Sequence, residues 1–492
     1  MTIGAILVAA QLGTIGCAGT SNKAGAQNAD DEDTARPPGS AGSSGQQQQQ
    51  GMSAAEQQAM QAKARAAAEQ AKKVAAHERA DFDATVERWD ALKKAGPLSP
   101  ADCHSLASKF ESIAGSHPAV SAQSYFNAGT LLEQCASDKD AEQDYNRALQ
   151  ANGAYSPALN NLGEIYYRRG NTPQARESFE KAIAADPTHD APAYNNLALI
   201  LYQDAVAQKN PAGLDDAIGK LRRALAIDND SMPAYQLLAL IYYTKAEHDK
   251  TKLALADLVV KQAKETDDKY APIYNTDGLI KLRKKNVTGA LKEFEKAVEL
   301  NPRYVEAYLN IGAIGLSARQ YEKAQHAFET VLKLQPSSID ATIGLGVALR
   351  GEKQFDQAET YYKKAAQLEP KNCAVPYDLG LLYQDYKVVA DNSNLKEAQN
   401  YFRQYLSCGT TSPKKVEDAN RRIKDIDDTF AAIAQQKQME AQMKAMEAQQ
   451  KQQQEEMQKQ QEEQKKAAPA APDQKGGPAA PAAGAAAPKA AK

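Results

Sequence analysis

One pattern recurs through the middle of the chain and restricts what it can fold into. Residues 156–189 place Ser156, Gly163, Tyr166, Ala175, Phe179, Ala182 and Pro187 in a fixed order. The same skeleton returns after a period of about 34 residues. Residues 305–336 carry Tyr308, Ile311, Gly312, Ala324, Phe328 and Pro336, and residues 339–370 carry Leu345, Gly346, Leu349, Ala358, Tyr362, Ala365 and Pro370. Further copies begin near Ala122, Ala191, Met232, Ala271 and Cys373, which makes eight over residues 122–408. One such unit cannot bury its own apolar faces, so it must stack on its neighbours.

The residue types read as helix hairpins. Gly163, Gly278, Gly312, Gly346 and Gly380 are small where a first helix, A, approaches a second, B; Ala141, Ala175, Ala290, Ala324 and Ala358 do the same from B. Tyr145, Phe179, Phe294, Phe328, Tyr362 and Phe402 are expected to fill the space between neighbouring repeats. Pro187, Pro302, Pro336 and Pro370 end helix B, because proline lacks the N–H and clashes with the preceding turn. Pro157, Pro192, Pro233 and Pro272 sit near the start of helix A, where the missing N–H costs nothing.

These residues in phase resemble the tetratricopeptide repeat (TPR). The resemblance implies an all-α fold, a right-handed superhelical solenoid of about eight helix hairpins, here with flanking long helices and disordered tails. It also implies a peptide-binding groove on helix A. The matching positions are Asn160, Glu164 and Tyr167; Asn195, Leu199 and Tyr202; Gln236, Leu240 and Tyr243; and Asn275 with Leu279. Arg168 and Arg283 stand at the rim, and the later repeats offer Leu309, Ile343, Val347, Tyr377 and Leu381. The Lys and Asn spaced four apart that clamp a dicarboxylate in some family members are absent, so the resemblance does not extend to chaperone-tail binding. Insertions at 203–213, 244–253 and 387–395 fall between A and B and are expected to project from one edge.

The chain parses as a leader (1–16), a disordered tether (17–51), an Ala/Gln-rich helix (52–97), the solenoid with its capping helix (98–408), a C-terminal capping and Gln-rich helix (413–466) and an Ala/Pro-rich disordered tail (467–492). Val416, Ala419, Ile423, Ile426, Phe430 and Ile433 make one apolar stripe, expected to cover the open end of the array. Met439, Met443 and Met446 form a thin seam, which fits either a partner coiled coil or a solvated single helix.

Residues 3–15 are apolar and end at Gly16-Cys17, too short a run to span a bilayer. A small residue directly before cysteine resembles the bacterial lipobox, which implies lipidation at Cys17. Ala18 after it implies the outer membrane. Thr14 stands where the pattern usually has Leu, and no cation precedes Lys23, so the expected start codon lies upstream. The remaining cysteines are Cys103, Cys135, Cys373 and Cys408. An even set in an exported chain suggests disulfides, with three possible connectivities. Cys103 and Cys135 lie symmetrically about the His117-Pro118 turn, and Cys373 and Cys408 about a turn near Ala390. That layout favours Cys103–Cys135 and Cys373–Cys408 over four buried thiols.

Composition closes off other classes. With 59 Lys+Arg against 62 Asp+Glu, net charge is −3, which argues against a nucleic-acid binder. No phosphate loop, nucleophile elbow, His-Glu-x-x-His or Cys-x-x-Cys is present, and the six histidines have no ligand spacing. No enzyme activity, cofactor or metal is expected. The layout of lipobox, Gln-rich tether, repeats and Gln/Met-rich tail resembles the TPR lipoproteins of the myxobacterial adventurous gliding machinery. The resemblance implies a periplasm-facing scaffold that meets the membrane only through its lipid and whose partners are other envelope proteins. The competing readings are a pilotin-like or barrel-assembly accessory lipoprotein and a cytoplasmic TPR co-chaperone.

Overall fold

A computed structural model describes residues 54–387, 392–409 and 412–467. The leader, Cys17, the tether, the tail beyond Ala467 and residues 388–391 of the third insertion lie outside the described residues. The described residues are helices joined by turns, the all-α solenoid architecture that the repeat implies. The chain divides into two compact units, Met1–Pro370 and Lys371–Lys492, so the boundary falls between the seventh and eighth hairpins.

The first unit opens with a long helix, α1 (Ala54–Ala95), and a capping helix, α2 (Pro100–Ser116). Ser99 and Asp102 form a reciprocal capping box that starts α2. The distal half of α1 joins the core: Phe82 and Trp89 are buried, with ring centroids 5.7 and 6.1 Å from Phe110 of α2. Seven hairpins follow. Their A and B helices are α3 (Ser121–Gln134) with α4 (Asp138–Ala151), α5 (Ser156–Arg168) with α6 (Thr172–Ala185), and α7 (Ala191–Ala207) with α8 (Pro211–Ile227). Then come α9 (Met232–Lys245) with α10 (Lys252–Thr266), α11 (Ala271–Arg283) with α12 (Val287–Leu300), α13 (Val305–Ser317) with α14 (Tyr321–Leu334), and α15 (Ile339–Gly351) with α16 (Phe355–Leu368).

Two turn chemistries alternate. Six of the seven A helices end in a left-handed residue, at Ala136, Gly170, Lys209, Lys285, Arg319 and Lys353; α9 ends on Ala246 in the right-handed region. The next N–H reaches back five residues, as Asn171 N to Tyr166 O at 2.9 Å and Gln354 N to Leu349 O at 2.9 Å. This closure satisfies carbonyls that the helix end leaves open. Several B helices end instead on an Asp or Asn that accepts from the chain two residues on: Asp228 from Asp230 N, Asp267 from Lys269 N and Asn301 from Arg303 N. The short carboxylate or amide offers the backbone an alternative to helix.

The glycine and aromatic columns are one device. The Phe179 ring lies on Gly163 within its own hairpin, where an added Cβ would stand 2.5 Å from the ring. The ring thus packs between A and B of one repeat, rather than only between neighbours. Phe328 does both: Gly312 of its own A helix and Gly344 of the next A helix flank it. The insertion at 203–213 does not project as a loop. It lengthens α7 and α8, leaving residues 208–210 as the turn. An added helical turn keeps its backbone hydrogen bonds internal. The insertion at 244–253 remains a turn, braced by Asp249, which accepts from Thr251 N at 3.0 Å.

The second unit comprises α17 (Ala374–Asp385), α18 (Ser393–Ser407) and α19 (Pro413–Ala467). Its core holds Phe402, Tyr405, Ala419 and Ile426, with Val416, Ile423 and Phe430 packed against it. The apolar stripe of α19 therefore covers the eighth hairpin as far as Phe430, and Ile433 beyond it is half-exposed. Arg422 ties α19 to Asp385 of α17 at 3.1 Å. The structure joins Cys103 to Cys135 and Cys373 to Cys408, with Cα atoms 6.4 and 5.7 Å apart.

Candidate protein-interaction surface

Helix A of each repeat carries the candidate groove positions. The structure places ten of the eleven side chains named from Asn160 to Leu279 under the surface: Asn160, Glu164, Asn195, Leu199, Tyr202, Gln236, Leu240, Tyr243, Asn275 and Leu279 are buried. Tyr167 remains partly accessible. Leu309 and Ile343 are buried too, and Val347 is half-exposed. In the second unit, Tyr377 donates to Asp418 of α19 at 2.7 Å, and Leu381 packs into the same core. These two are held beneath α19 rather than lining an open groove.

The burial has a local cause. A tyrosine just ahead of helix A reaches back over the preceding repeat. Tyr155 packs on Phe126 with centroids 5.6 Å apart, and Tyr270 donates to Gln236 Oε1 at 3.1 Å. Burial pushes the Tyr155 hydroxyl up to about 12 and raises Tyr270 and Tyr304. Elsewhere one amide column pairs with the next. Asn196 donates to Asn160 Oδ1 at 3.0 Å and to Glu164 Oε1 at 2.9 Å, and Asn310 donates to Asn275 Oδ1 at 2.8 Å. Asn160, Gln236 and Asn275 therefore bond to the protein itself instead of waiting for a peptide backbone, whereas Asn195 Oδ1 and Asn275 Nδ2 are buried without a hydrogen-bond partner among the described residues.

Glu164 sits at the centre of this network. Burial pushes its carboxyl up to about 7, and the nearby Glu133 adds to the shift. Hydrogen bonds from Asn196 and Asn160 and the charge of Arg168 work the other way without cancelling it. Glu133 accepts from the Tyr145 hydroxyl at 2.7 Å, and Asn161 donates to the Tyr145 hydroxyl oxygen at 3.0 Å. Two carboxyls, three amides and a phenol thus link the first three repeats.

Toward the C-terminal ends of the A helices, a second ladder runs from repeat to repeat. Glu133 pairs with Arg168 at 2.7 Å. Tyr167 accepts from Gln203. The Tyr202 hydroxyl meets Thr244 Oγ1 at 3.1 Å. Arg283 lies over the Tyr243 ring at 3.8 Å and donates to the Tyr243 carbonyl. At each step a groove-column side chain touches the residue one place further along in the next repeat. Sequence reading named Tyr167, Tyr202, Tyr243, Arg168 and Arg283, but not Gln203 or Thr244. The available signal was their place directly after the tyrosine column.

Tyr167, Arg168, Gln203, Thr244 and Arg283 keep part of their surface accessible. They offer a partner a stripe of phenol, amide, hydroxyl and guanidinium groups, the mixture that favours anchoring at protein interfaces. A separate cleft of about 720 Å³ opens on α6, α7 and α8, lined in part by Glu180, Tyr194, Leu197, Asp215, Lys220 and Arg223. Among the described residues no cluster of His, Cys, Asp or Glu could hold a metal ion, and no helix is long and apolar enough to cross a membrane.

Residues 156–189 match one family model described as tetratricopeptide repeat, and residues 316–372 match another of the same description. A search of curated proteins finds no match. Among solved structures, PilF of Pseudomonas aeruginosa is similar at 22% identity and TM-score 0.38, covering 47% of this chain and 97% of its own. A thermophilic TPR protein of Thermus thermophilus is similar at 22% identity and TM-score 0.35, covering 40% and 99%. A tetratricopeptide repeat protein from Parabacteroides merdae is similar at 15% identity and TM-score 0.36, covering 55% and 98%.

Proposed function

We propose that this chain of tetratricopeptide repeats is a non-enzymatic scaffold, anchored by an acylated Cys17 at the periplasmic face of the outer membrane. There it holds together proteins of an envelope complex, with gliding motility as the leading process. The observation that carries the location is the pair of disulfides, Cys103–Cys135 and Cys373–Cys408, in a chain whose apolar leader ends at Gly16-Cys17. Structural disulfides form and persist in oxidising compartments such as the periplasm. The scaffold role is supported by the accessible stripe from Tyr167 to Arg283, built from groups that bind protein segments. The polar network beneath it holds the stripe in register. The motility assignment is supported by the order of segments along the chain.

Palmitate labelling of the wild type and Cys17→Ala, followed by membrane fractionation, tests the anchor. The expected result is label and outer-membrane recovery in the wild type, both lost in the variant. Soluble, unlabelled protein in both overturns it. Co-purification from envelopes then tests the scaffold: envelope proteins are expected at a fixed ratio, reduced by Tyr167→Ala with Arg168→Glu. Transient capture only of unassembled outer-membrane subunits would favour an assembly factor instead.

A further inference from the structure

The far part of α19 stands apart from the core of its own unit. From residue 434 to residue 466 every side chain is exposed. Met439, Met443, Met446 and Met457 are each more than half exposed, an unusual state for so many large apolar side chains on one helix. Their spacing is not random. At about 100° per residue, Met439, Met443, Met446, Gln450, Gln453 and Met457 all fall within about 40° of one line along the helix.

Charge respects the same line. Between residues 434 and 466 every Lys and Glu projects at least about 80° away from it. Away from this line, Lys437, Lys444 and Lys451 on the back and Glu440 and Glu447 on one flank alternate in sign at steps of three and four. Such pairs stabilise one another within a single helix. The helix keeps its charges off this line and leaves an uncharged methionine and glutamine face without a partner.

We propose that this face pairs in parallel with the same face of a second copy of the chain. Two observations select that occupant. The seam is self-complementary: in parallel register methionine meets methionine, and Gln450 and Gln453 meet their own counterparts, each amide being both donor and acceptor. The flanks select the direction. One edge of the seam carries Glu440, Glu447 and Gln454, and the other carries Gln442, Gln449 and Glu456. In a parallel pair the two unlike edges meet, so Gln442 of one copy lies opposite Glu447 of the other. An antiparallel pair with Met439 opposite Met457 would set Glu447 against its own copy. Methionine packs adaptably and glutamine layers cost stability, so the pair is weak and reversible. Pairing makes the scaffold bivalent and raises its avidity for any partner present in two copies. This inference does not depend on what the A-helix stripe binds.

Sedimentation equilibrium of the full chain, with Cys17→Ser so that no lipid links copies, tests the proposal. The mass is expected to rise from one chain to two at micromolar concentrations. Met443→Glu with Met446→Glu should stay at one chain, with unchanged helix content by circular dichroism. Lys444→Gln, on the back of the helix, should leave the dimer intact. Met439→Cys and Met457→Cys, made separately, should each cross-link to themselves on mild oxidation, which an antiparallel pair cannot do at both sites. A wild type that remains a single chain throughout, or a dimer that survives both glutamates, overturns the proposal. Self-cross-linking at only one of the two positions overturns the parallel register.

Discussion

The second and third repeats and the sixth and seventh share one skeleton and differ in what fills it. In the earlier pair, Asn160, Glu164 and Asn196 meet across the hairpins through amide and carboxyl groups. In the later pair, the Phe328 ring is held between Gly312 and Gly344, with Leu309 and Ile343 buried nearby. The apolar seam depends on volume. The polar seam depends on pairing, because a buried polar group without its partner costs about as much as a hydrogen bond contributes, or more. Asn196 reaches both Asn160 and Glu164 at a single offset of the two helices. The earlier region therefore specifies register, and the later region supplies burial.

The largest test strikes the later pair. Phe328→Ala empties a site bounded by two glycines that cannot move in to fill it, and should cost about 3–5 kcal/mol in denaturant unfolding. Survival with a loss far below that range would show that the apolar seam can collapse.

The earlier pair should respond to pH instead. The Glu164 carboxyl is raised to about 7 in the folded chain from an ordinary 4.5. The folded state thus holds a proton that the unfolded state has already lost. Stability is full below the ordinary value and declines as pH rises towards 7, by on the order of 3 kcal/mol for this group. Asp144, raised to about 7 mainly by burial, contributes a slope of the same sign. Glu164→Gln keeps an oxygen for both asparagine donors and should remove its share of the decline in melting temperature between pH 4.5 and 7. An unchanged slope would deny the carboxyl its central place.

A smaller effect belongs to the ladder. Arg283→Ala removes a guanidinium from the Tyr243 face and should cost about 0.5–2 kcal/mol, read as lost amide-exchange protection in α9 and α11. The smallest concerns the turns. Lys353 holds a left-handed backbone at φ +64, where Gly170 in the equivalent turn has φ +76. Lys353→Gly should stabilise by about 0.5–1 kcal/mol, and Gly170→Ala should destabilise by a similar amount.

The hairpins were legible because Gly163, Ala175, Phe179 and Pro187 recur in phase, and each type has one physical use. The cysteine layout was legible because a hairpin brings its two ends together. The candidate surface was legible only in part. Periodicity marks the face of helix A on which Asn195 or Gln236 lies, but not the neighbour that covers it. Tyr270, which reaches Gln236, belongs to the turn before the next repeat, outside the groove columns. The ladder partners Gln203 and Thr244 directly follow the tyrosine column, but they are the first residues of the two insertions, where the repeat skeleton sets no expectation. The insertion at 203–213 is expected to project from one edge, yet its alanines favour helix, and helix prevails.

The exposed part of α19 has a mechanical consequence. From residue 434 to Ala467 it rises about 1.5 Å per residue, giving an arm about 50 Å long, comparable to or longer than a small domain is wide. Whatever grips its far end is held at that distance from the core of α17 and α18. Because the arm is helical along its whole length, force applied at one end reaches the other instead of being absorbed by slack.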